Sequence, residues 1–161
     1  MNVGELMTRD VRTCAPHDAL DTAANLMWTC DCGCVPVVNE TGRVIGMLTD
    51  RDICMAALTQ AGPLSALRVE SAMAKYVHWC KPEDTLLTAL DLMRSHQVRR
   101  LPVVDDDGGL VGIISLNDLI REATRKRPHK GKADVTTTGI SQALAALCEP
   151  RSLEEPEAPA A

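Results

Sequence analysis

The sequence predicts an α+β fold made of two copies of one β-α-β-β-α unit. Shifting the chain by 66 residues aligns residues 7–56 with residues 73–122 without a gap. The stretch 36–38 then matches 102–104 as the same Pro-Val-Val run. Matching at a fixed offset is typical of a duplicated supersecondary unit whose copies bury their apolar faces against each other. The second observation is that each copy has helically spaced apolar residues followed by two short apolar runs.

Each unit is predicted to begin with a short extended piece that leads into a helix. The extended pieces are Val11–Thr13 and Val77–Trp79. Asp18 and Asp84 come next, and their carboxylates are expected to accept hydrogen bonds from the first free N–H groups of each helix. Apolar residues then recur at helical spacing and form one stripe per helix. In chain order they are Leu20, Ala23, Ala24, Met27 and Trp28, and then Leu86, Ala89, Leu90 and Met93.

Two strands and a second helix are predicted to complete each unit. The two apolar runs are separated by Asn39–Gly42 in the first unit and by Asp105–Gly109 in the second. Loops of four or five residues with glycine near the end suit antiparallel hairpins. The predicted strands are Val35–Val38, Val44–Leu48, Leu101–Val104 and Leu110–Ile114, and the predicted second helices are Asp50–Leu58 and Leu116–Arg125.

The repeat divides the chain into two domains and a tail. Residues 1–62 are predicted to form the first domain and residues 63–125 the second. Residues 126–161 are predicted to contain a basic loop, a short helix and an acidic, Pro- and Ala-rich end that is disordered. The apolar face of the short helix is expected to consist of Ile140, Leu144, Leu147 and Cys148.

Composition and charge exclude several classes of protein. A net charge of -5, with no Phe, one Tyr and two Trp, argues against a nucleic-acid partner, since such binders are usually basic and rich in stacking side chains. No apolar run is long enough to span a bilayer, and the first ten residues lack the apolar core of a signal peptide. We therefore expect a cytoplasmic protein with no membrane contact, whose seven cysteines are thiols.

One residue pattern suggests chemistry, and it occurs once per repeat. Thr49 and Ser115 stand where a strand ends and a helix begins, and Asp52 and Asp118 follow three residues later. One interpretation is a capping box, in which hydroxyl and acid satisfy the free N–H groups of the helix. The other is a nucleotide site, because a helix N-terminus with a hydroxyl suits a phosphate and a carboxylate suits the ribose diol.

Three stretches give this pattern a family resemblance. "VIGMLTDRDI" and "LVGIISLNDL" resemble the Gly-hydrophobic-hydrophobic-Ser/Thr-x-x-Asp signature of CBS domains, and "VRRLPVVD" resembles the strand that precedes it. The chain is similar to a CBS-domain pair, or Bateman module, of the kind found as small stand-alone bacterial proteins. The resemblance implies tandem CBS domains about a pseudo-twofold axis, with two clefts that bind an adenosine compound such as AMP, ADP, ATP or S-adenosylmethionine.

The same resemblance implies roles for the residues of the pattern. Asp52 and Asp118 would bind ribose hydroxyls, and Thr49 and Ser115 would bind phosphate. No obligatory cofactor is implied, and the adenosine compound would be a ligand.

A cationic contact to the phosphate is implied by the family at the start of the preceding strand. Arg99 and Arg100 occupy these positions in the second repeat, where the first repeat has Gly33 and Cys34. The second cleft, which has its own arginines, is therefore expected to bind the ligand more tightly than the first. The alternative is that the arginines reach across the axis and serve the first cleft. The segments that flank the adenine are expected to include Thr8, Val11, Lys75 and Val77, with Gly33 also at the site.

The cysteines offer a second hypothesis. Cys30, Cys32 and Cys34 alternate toward a strand and are expected on one face of it. Their spacing is not that of a zinc knuckle, and neighbours two apart on a strand make poor disulfides. Cys14 and Cys80 share one repeat position, which suggests buried packing residues. Packing is thus favoured, and a thiol- or metal-responsive sensor remains the alternative.

These observations predict a regulatory module rather than an enzyme. No histidine is paired with a nucleophile by the pattern, and no metal is expected. A structural adaptor with vestigial clefts is the third possibility, and the sequence does not identify a protein partner. A homodimer is expected through an apolar stripe on the second helices, which comprises Ile53, Ala57, Leu58, Leu116, Leu119 and Ile120.

Overall fold

Each repeat contains one antiparallel hairpin, and the two hairpins are separate two-stranded sheets. The computed structural model describes residues 1–124 and 135–149. Cys34 pairs with Thr49 in the first sheet, and Arg100 pairs with Ser115 at the equivalent register of the second. The elements are α1 (Val3–Leu6), α2 (Leu20–Thr29), β1 (Cys34–Val38), β2 (Val44–Thr49), α3 (Asp50–Thr59), α4 (Leu86–Ser95), β3 (Arg100–Val104), β4 (Leu110–Ser115), α5 (Leu116–Thr124) and α6 (Thr137–Cys148), with 3₁₀ turns at Leu64–Ala66 and Val69–Ser71.

The α+β fold with two β-α-β-β-α repeats is confirmed. The strands are slightly longer than predicted, since the residues flanking each apolar run also pair. The predicted extended pieces end in single parallel bridges, from Cys14 to Val37 and from Cys80 to Val103. Each bridge places a buried cysteine beside a buried valine, the fourth residue of β1 or β3, at the same position in both repeats.

The expected helix-capping role of Asp18 and Asp84 is wrong. The helices begin at Leu20 and Leu86, two residues later than these aspartates. Each carboxylate instead accepts from the backbone N–H three residues before it, at 2.8 Å, and so closes the turn that precedes the helix. In the second repeat the capping residue is Thr85, whose hydroxyl accepts from the N–H of Thr88 at 3.1 Å.

The segments that lead into the two repeats are exchanged between their cores. Val3 and Met7 belong to the hydrophobic core of the second repeat. Val69 and Met73, which stand 66 residues later, pack with the core of the first repeat. Each repeat is therefore completed by apolar residues from the segment that precedes the other repeat's strands.

The tips of the two hairpins also pair with each other. The N–H of Val44 donates to the carbonyl of Gly108 at 3.2 Å, and the N–H of Leu110 donates to the carbonyl of Gly42 at 3.1 Å. Gly42 and Gly108 have φ of 78° and 79°, a region in which glycine is unstrained. This reciprocal pairing joins the two repeats about a pseudo-twofold axis.

The helix α6 packs against α4 and α5 of the second repeat. Ile140 and Ala143 are buried there, whereas Leu144 is 41% exposed, so the expected apolar face is rotated toward the smaller alanine. Gln97 Nε2 donates to the carbonyl of Ala146 at 3.0 Å and so holds the end of α6. The predicted basic loop and disordered end lie outside the described residues. None of the described helices is long and apolar enough to cross a membrane.

Candidate functional site

A hydroxyl and a carboxylate meet where β2 ends and α3 begins. The backbone N–H and the Oγ1 of Thr49 both donate to Asp52 Oδ2, at 2.9 and 2.7 Å. The N–H of Asp52 donates to Thr49 Oγ1 at 3.2 Å. These three hydrogen bonds form a capping box, so the capping-box interpretation of the pattern describes the geometry correctly.

The second repeat reproduces this arrangement between β4 and α5. The N–H and Oγ of Ser115 donate to Asp118 Oδ2 at 2.9 and 2.6 Å, and the N–H of Asp118 donates back to Oγ at 3.3 Å. Within the described part of the chain, no donor reaches Oδ1 of Asp52 or of Asp118. The capping box therefore leaves each half-buried carboxylate one oxygen that can accept from a ligand hydroxyl.

The segments expected to flank an adenine lie next to these two sites, in a crossed arrangement. Thr8 exchanges two backbone hydrogen bonds of 2.9 Å with Ile113, two residues before Ser115. Ala74 pairs in the same way with Met47, two residues before Thr49, at 2.8 and 3.0 Å. The segment from Thr8 to Val11 therefore adjoins the site of the second repeat, and the segment from Lys75 to Val77 adjoins that of the first. The sequence did not reveal this exchange.

The residues at the start of β1 and β3 lie across each hairpin from the hydroxyl. The carbonyl of Gly33 accepts from the N–H of Asp50 at 3.2 Å, and the carbonyl of Arg99 accepts from the N–H of Leu116 at 2.9 Å. The backbone of Arg100 thus belongs to the second site, where it pairs with Ser115.

The side chain of Arg100 extends instead toward the first repeat. Its Nη2 lies 3.8 Å from the point where a Cβ on Gly33 would stand. The Oδ2 of Asp50 lies 3.2 Å from the same point, so a cation and an anion flank Gly33. The guanidinium of Arg100 makes no hydrogen bond or ion pair to any described residue. The Arg100 side chain thus lies toward the first repeat, which is the direction that the sequence analysis gave as the alternative.

The buried cysteines behave as packing residues. Cys14, Cys34 and Cys80 are buried, and none of the seven cysteines forms a disulfide. Burial raises the pKa of the Cys14 and Cys34 thiols to about 11 and that of Cys80 to about 12. Because the thiolate is the form that binds metals and reacts, these three groups are held in the unreactive form at neutral pH.

The C-x-C-x-C run does not lie on one strand face as expected. Cys30 caps the end of α2 and is exposed, Cys32 follows in a turn, and only Cys34 is in β1. The turn between them is set by Asp31, whose φ is 49°. Across residues 1–124 and 135–149, no three His, Cys, Asp or Glu side chains form a group suited to a metal ion.

Two further features were not foreseen from the sequence. The rings of His78 and His96 stack, with centroids 3.6 Å apart and an interplanar angle of 8°. Burial and the neighbouring His96 lower the pKa of His78.

A groove of about 480 Å³ also opens between α2 and α3, and Thr49 and Asp52 do not line it. No local pattern announces either feature, because each depends on how distant elements pack.

The family of CBS domains matches residues 3–59 and 69–125, which carry both hydroxyl–aspartate pairs. The chain belongs to the CBS domain family. The CBS domain-containing protein YhcV of Bacillus subtilis is 41% identical over 118 residues, or 73% of this CBS protein and 82% of YhcV. An inosine-5'-monophosphate dehydrogenase of Methanocaldococcus jannaschii is 32% identical over 154 residues. The match covers 96% of this chain but only 29% of that relative.

Solved structures agree with the fold of this CBS pair. The crystal structure of Hypoxic Response Protein I with two coordinated zinc ions matches with a TM-score of 0.69 and 29% identity, over 75% of this chain and 98% of that one. The CBS domain pair of protein MJ0100, in complex with 5-methylthioadenosine and S-adenosyl-L-methionine, matches with a TM-score of 0.68 and 23% identity, over 75% and 94%. A CBS pair is a regulatory module, and this chain consists of one such pair with a C-terminal extension.

Proposed function

We propose that this CBS pair is a cytoplasmic regulatory module that binds an adenosine-containing compound, such as AMP, ADP, ATP or S-adenosylmethionine. Binding would alter the interface of a homodimer or of a complex with a protein partner. The observation that carries the proposal is the free Oδ1 of Asp52 and Asp118, each beside a hydroxyl at a helix N-terminus.

The chemistry of the two sites fits a ribose that carries an anionic group. A carboxylate oxygen without a partner can accept from a ribose hydroxyl, and the helix N-terminus favours negative charge. Arg100 adds an unpaired guanidinium near the first site. The structure of MJ0100 contains bound adenosine compounds, but at 23% identity its similarity to this chain supports the fold alone.

The test measures ligand binding by calorimetry and by thermal shift, with AMP, ADP, ATP and S-adenosylmethionine as probes. Asp52→Asn and Asp118→Asn keep an oxygen for the capping box but place an amide where Oδ1 would accept. We expect each variant to bind the ligand roughly tenfold to a hundredfold more weakly at one of the two sites. The free energy of unfolding should be nearly unchanged. Asp91→Asn, on the exposed side of α4, is the matched control and should bind as the wild type does.

Other outcomes would contradict the proposal in distinct ways. If no adenosine compound binds the wild type, or if both aspartate variants bind normally, the hydroxyl–aspartate pairs are only helix caps and the chain is an adaptor. If Zn²⁺ stabilises the protein, a chelator reverses the effect and Cys30→Ser abolishes it, the chain is a metal sensor.

A further inference from the structure

The groove between α2 and α3 has an acidic end and an apolar body. Asp31 follows the end of α2, Asp50 begins α3, and both line the groove. The N–H of Asp50 donates to the carbonyl of Gly33 at 3.2 Å, so the two aspartates lie at the same end of the groove. Ala24 and Ala57 line it about two helical turns away from that end, where the lining is apolar.

The charge of the acidic end is not neutralised within the part of the chain that the structure describes. Asp31 and Asp50 are exposed, and neither carboxylate forms an ion pair with a described residue. The guanidinium of Arg100 approaches Gly33 but does not line the groove. Trp28 also lines this end and is 87% exposed, and the face of an indole ring attracts cations. The acidic end therefore suits a positively charged group.

The second repeat shows what kind of element fits between two such helices. There α6 packs against α4 and α5, which are the equivalents of α2 and α3. The residues of α6 that are buried in this contact are Ile140 and Ala143. Gln97 Nε2 donates to the carbonyls of Ala146 and Glu149 at 3.0 and 3.3 Å, and so binds the C-terminal end of α6. A helix with a small apolar face thus fills this position.

The groove of the first repeat does not suit a helix that runs in the direction of α6. Asp31 stands at the position of Gln97, and its carboxylate has no N–H to donate to the carbonyls of a helix C-terminus. Asp50 stands at the position of Leu116, which is buried in the second repeat. A helix in the opposite direction would bring its free N–H groups and the positive end of its dipole to the two carboxylates.

We propose that the groove between α2 and α3 binds an amphipathic helix of a partner protein. The first turn of that helix is basic and lies at Asp31 and Asp50, and its apolar face packs between Ala24 and Ala57. Burial of the apolar face supplies affinity, and the charges at one end fix the direction of the helix. The inference deepens the proposed function and rests on it only for the expectation of a protein partner.

The test titrates the full chain with a synthetic helical peptide as long as α6. This peptide keeps the apolar spacing of α6 and carries lysines in its first turn, and a control peptide carries glutamates there instead. Binding is followed by fluorescence in a Trp79→Phe background, in which Trp28 is the one tryptophan of the sequence. We expect the lysine peptide to bind and to shift the emission of Trp28. The glutamate peptide should bind at least about tenfold more weakly.

Variants of the protein locate the peptide in the groove. Asp31→Asn combined with Asp50→Asn should weaken the lysine peptide about tenfold, because two exposed ion pairs are lost. The φ of Asp31 is 49°, a conformation that asparagine also adopts, so this variant should fold. Asp21→Asn, at an exposed carboxylate of α2 outside the groove, is the matched control. Ala57→Lys should abolish binding, whereas Met55→Lys, on α3 outside the lining, should not.

Three results would overturn the inference: no binding of the lysine peptide, equal binding of the two peptides, or unchanged binding by the double aspartate variant. A dimer in sedimentation velocity that Ala57→Lys dissociates, but that excess lysine peptide does not, would assign the groove to a second copy and would also overturn it. Calorimetry with AMP on the same samples separates the two proposals. Binding of AMP without the peptide contradicts this inference alone, and binding of the peptide without AMP contradicts the nucleotide proposal alone.

Discussion

At the scale of single residues, two glycines permit the exchange of the leading segments. Gly46 lies in β2 and Gly112 in β4, at equivalent positions. A Cβ on Gly112 would overlap the Sδ of Met7 and lie 3.0 Å from the carbonyl oxygen of Thr8. Met73 and Ala74 crowd Gly46 in the same way. The absence of a side chain thus lets a backbone and a methionine from the other repeat's leading segment approach each sheet.

Gly112→Ala should therefore destabilise the protein, because the backbone of Thr8 cannot move away without losing its pairing with β4. We expect a loss of about 1–3 kcal/mol in the free energy of unfolding, measured by urea denaturation. Gly62→Ala is the control, since its nearest neighbour, Leu67, is 3.8 Å away. A Gly112→Ala variant as stable as the control would show that the leading segment is not held against β4 as described.

At the scale of elements, the repeat made most of the fold predictable. Each hydrophobic pattern occurs in two copies, so the position of each strand and helix is indicated twice. The observed bounds differ from the predicted ones by one or two residues. The errors arose where a short-range hydrogen bond or the packing of a neighbouring element determines the role of a residue. Asp18 closes a turn instead of capping a helix, and α6 buries Ala143 rather than Leu144 because a small residue allows closer contact with α4 and α5.

The docking of α6 can be tested without unfolding the repeats. Ile140→Ala removes a buried side chain between α6 and the helices below it, and such losses typically cost 2–5 kcal/mol in a core. We expect faster amide hydrogen exchange in residues 137–148, with the protection of β3 and β4 unchanged. Ser141→Ala, at the next and exposed residue, should leave exchange in α6 close to that of the wild type. Uniformly faster exchange across the second repeat would instead make α6 part of its cooperative core.

At the scale of the whole molecule, the two sites depend on contacts that cross the pseudo-twofold axis. The sequence located the hydroxyl–aspartate pairs because strand, helix and spacing are local properties. It placed Arg100 in the second cleft and did not assign the leading segments to a cleft, because contacts across the axis, such as the pairing of Val44 with Gly108, join residues 64 apart in the chain. The residues proposed for each site thus come together only when both repeats are folded against each other.

The crossing of Arg100 leads to a prediction about which site it serves. Its backbone pairs with Ser115, but its guanidinium lies near Gly33, at the site of Thr49 and Asp52. Arg100→Ala should therefore weaken the binding of AMP at the first site roughly tenfold to a hundredfold, since a charged hydrogen bond to phosphate contributes about 1.5–3 kcal/mol. Adenosine, which has no phosphate, should be affected little.

Calorimetry in two backgrounds isolates each site for this measurement. Asp118→Asn leaves the first site intact, and there Arg100→Ala should lower the affinity for AMP. Asp52→Asn leaves the second site intact, and there Arg100→Ala should change nothing. Arg94→Ala is the control in both backgrounds, because Arg94 is an exposed arginine of α4 that pairs with Asp91. If Arg100→Ala weakens AMP only in the Asp52→Asn background, the guanidinium turns back to its own repeat when phosphate binds, and the assignment across the axis is wrong.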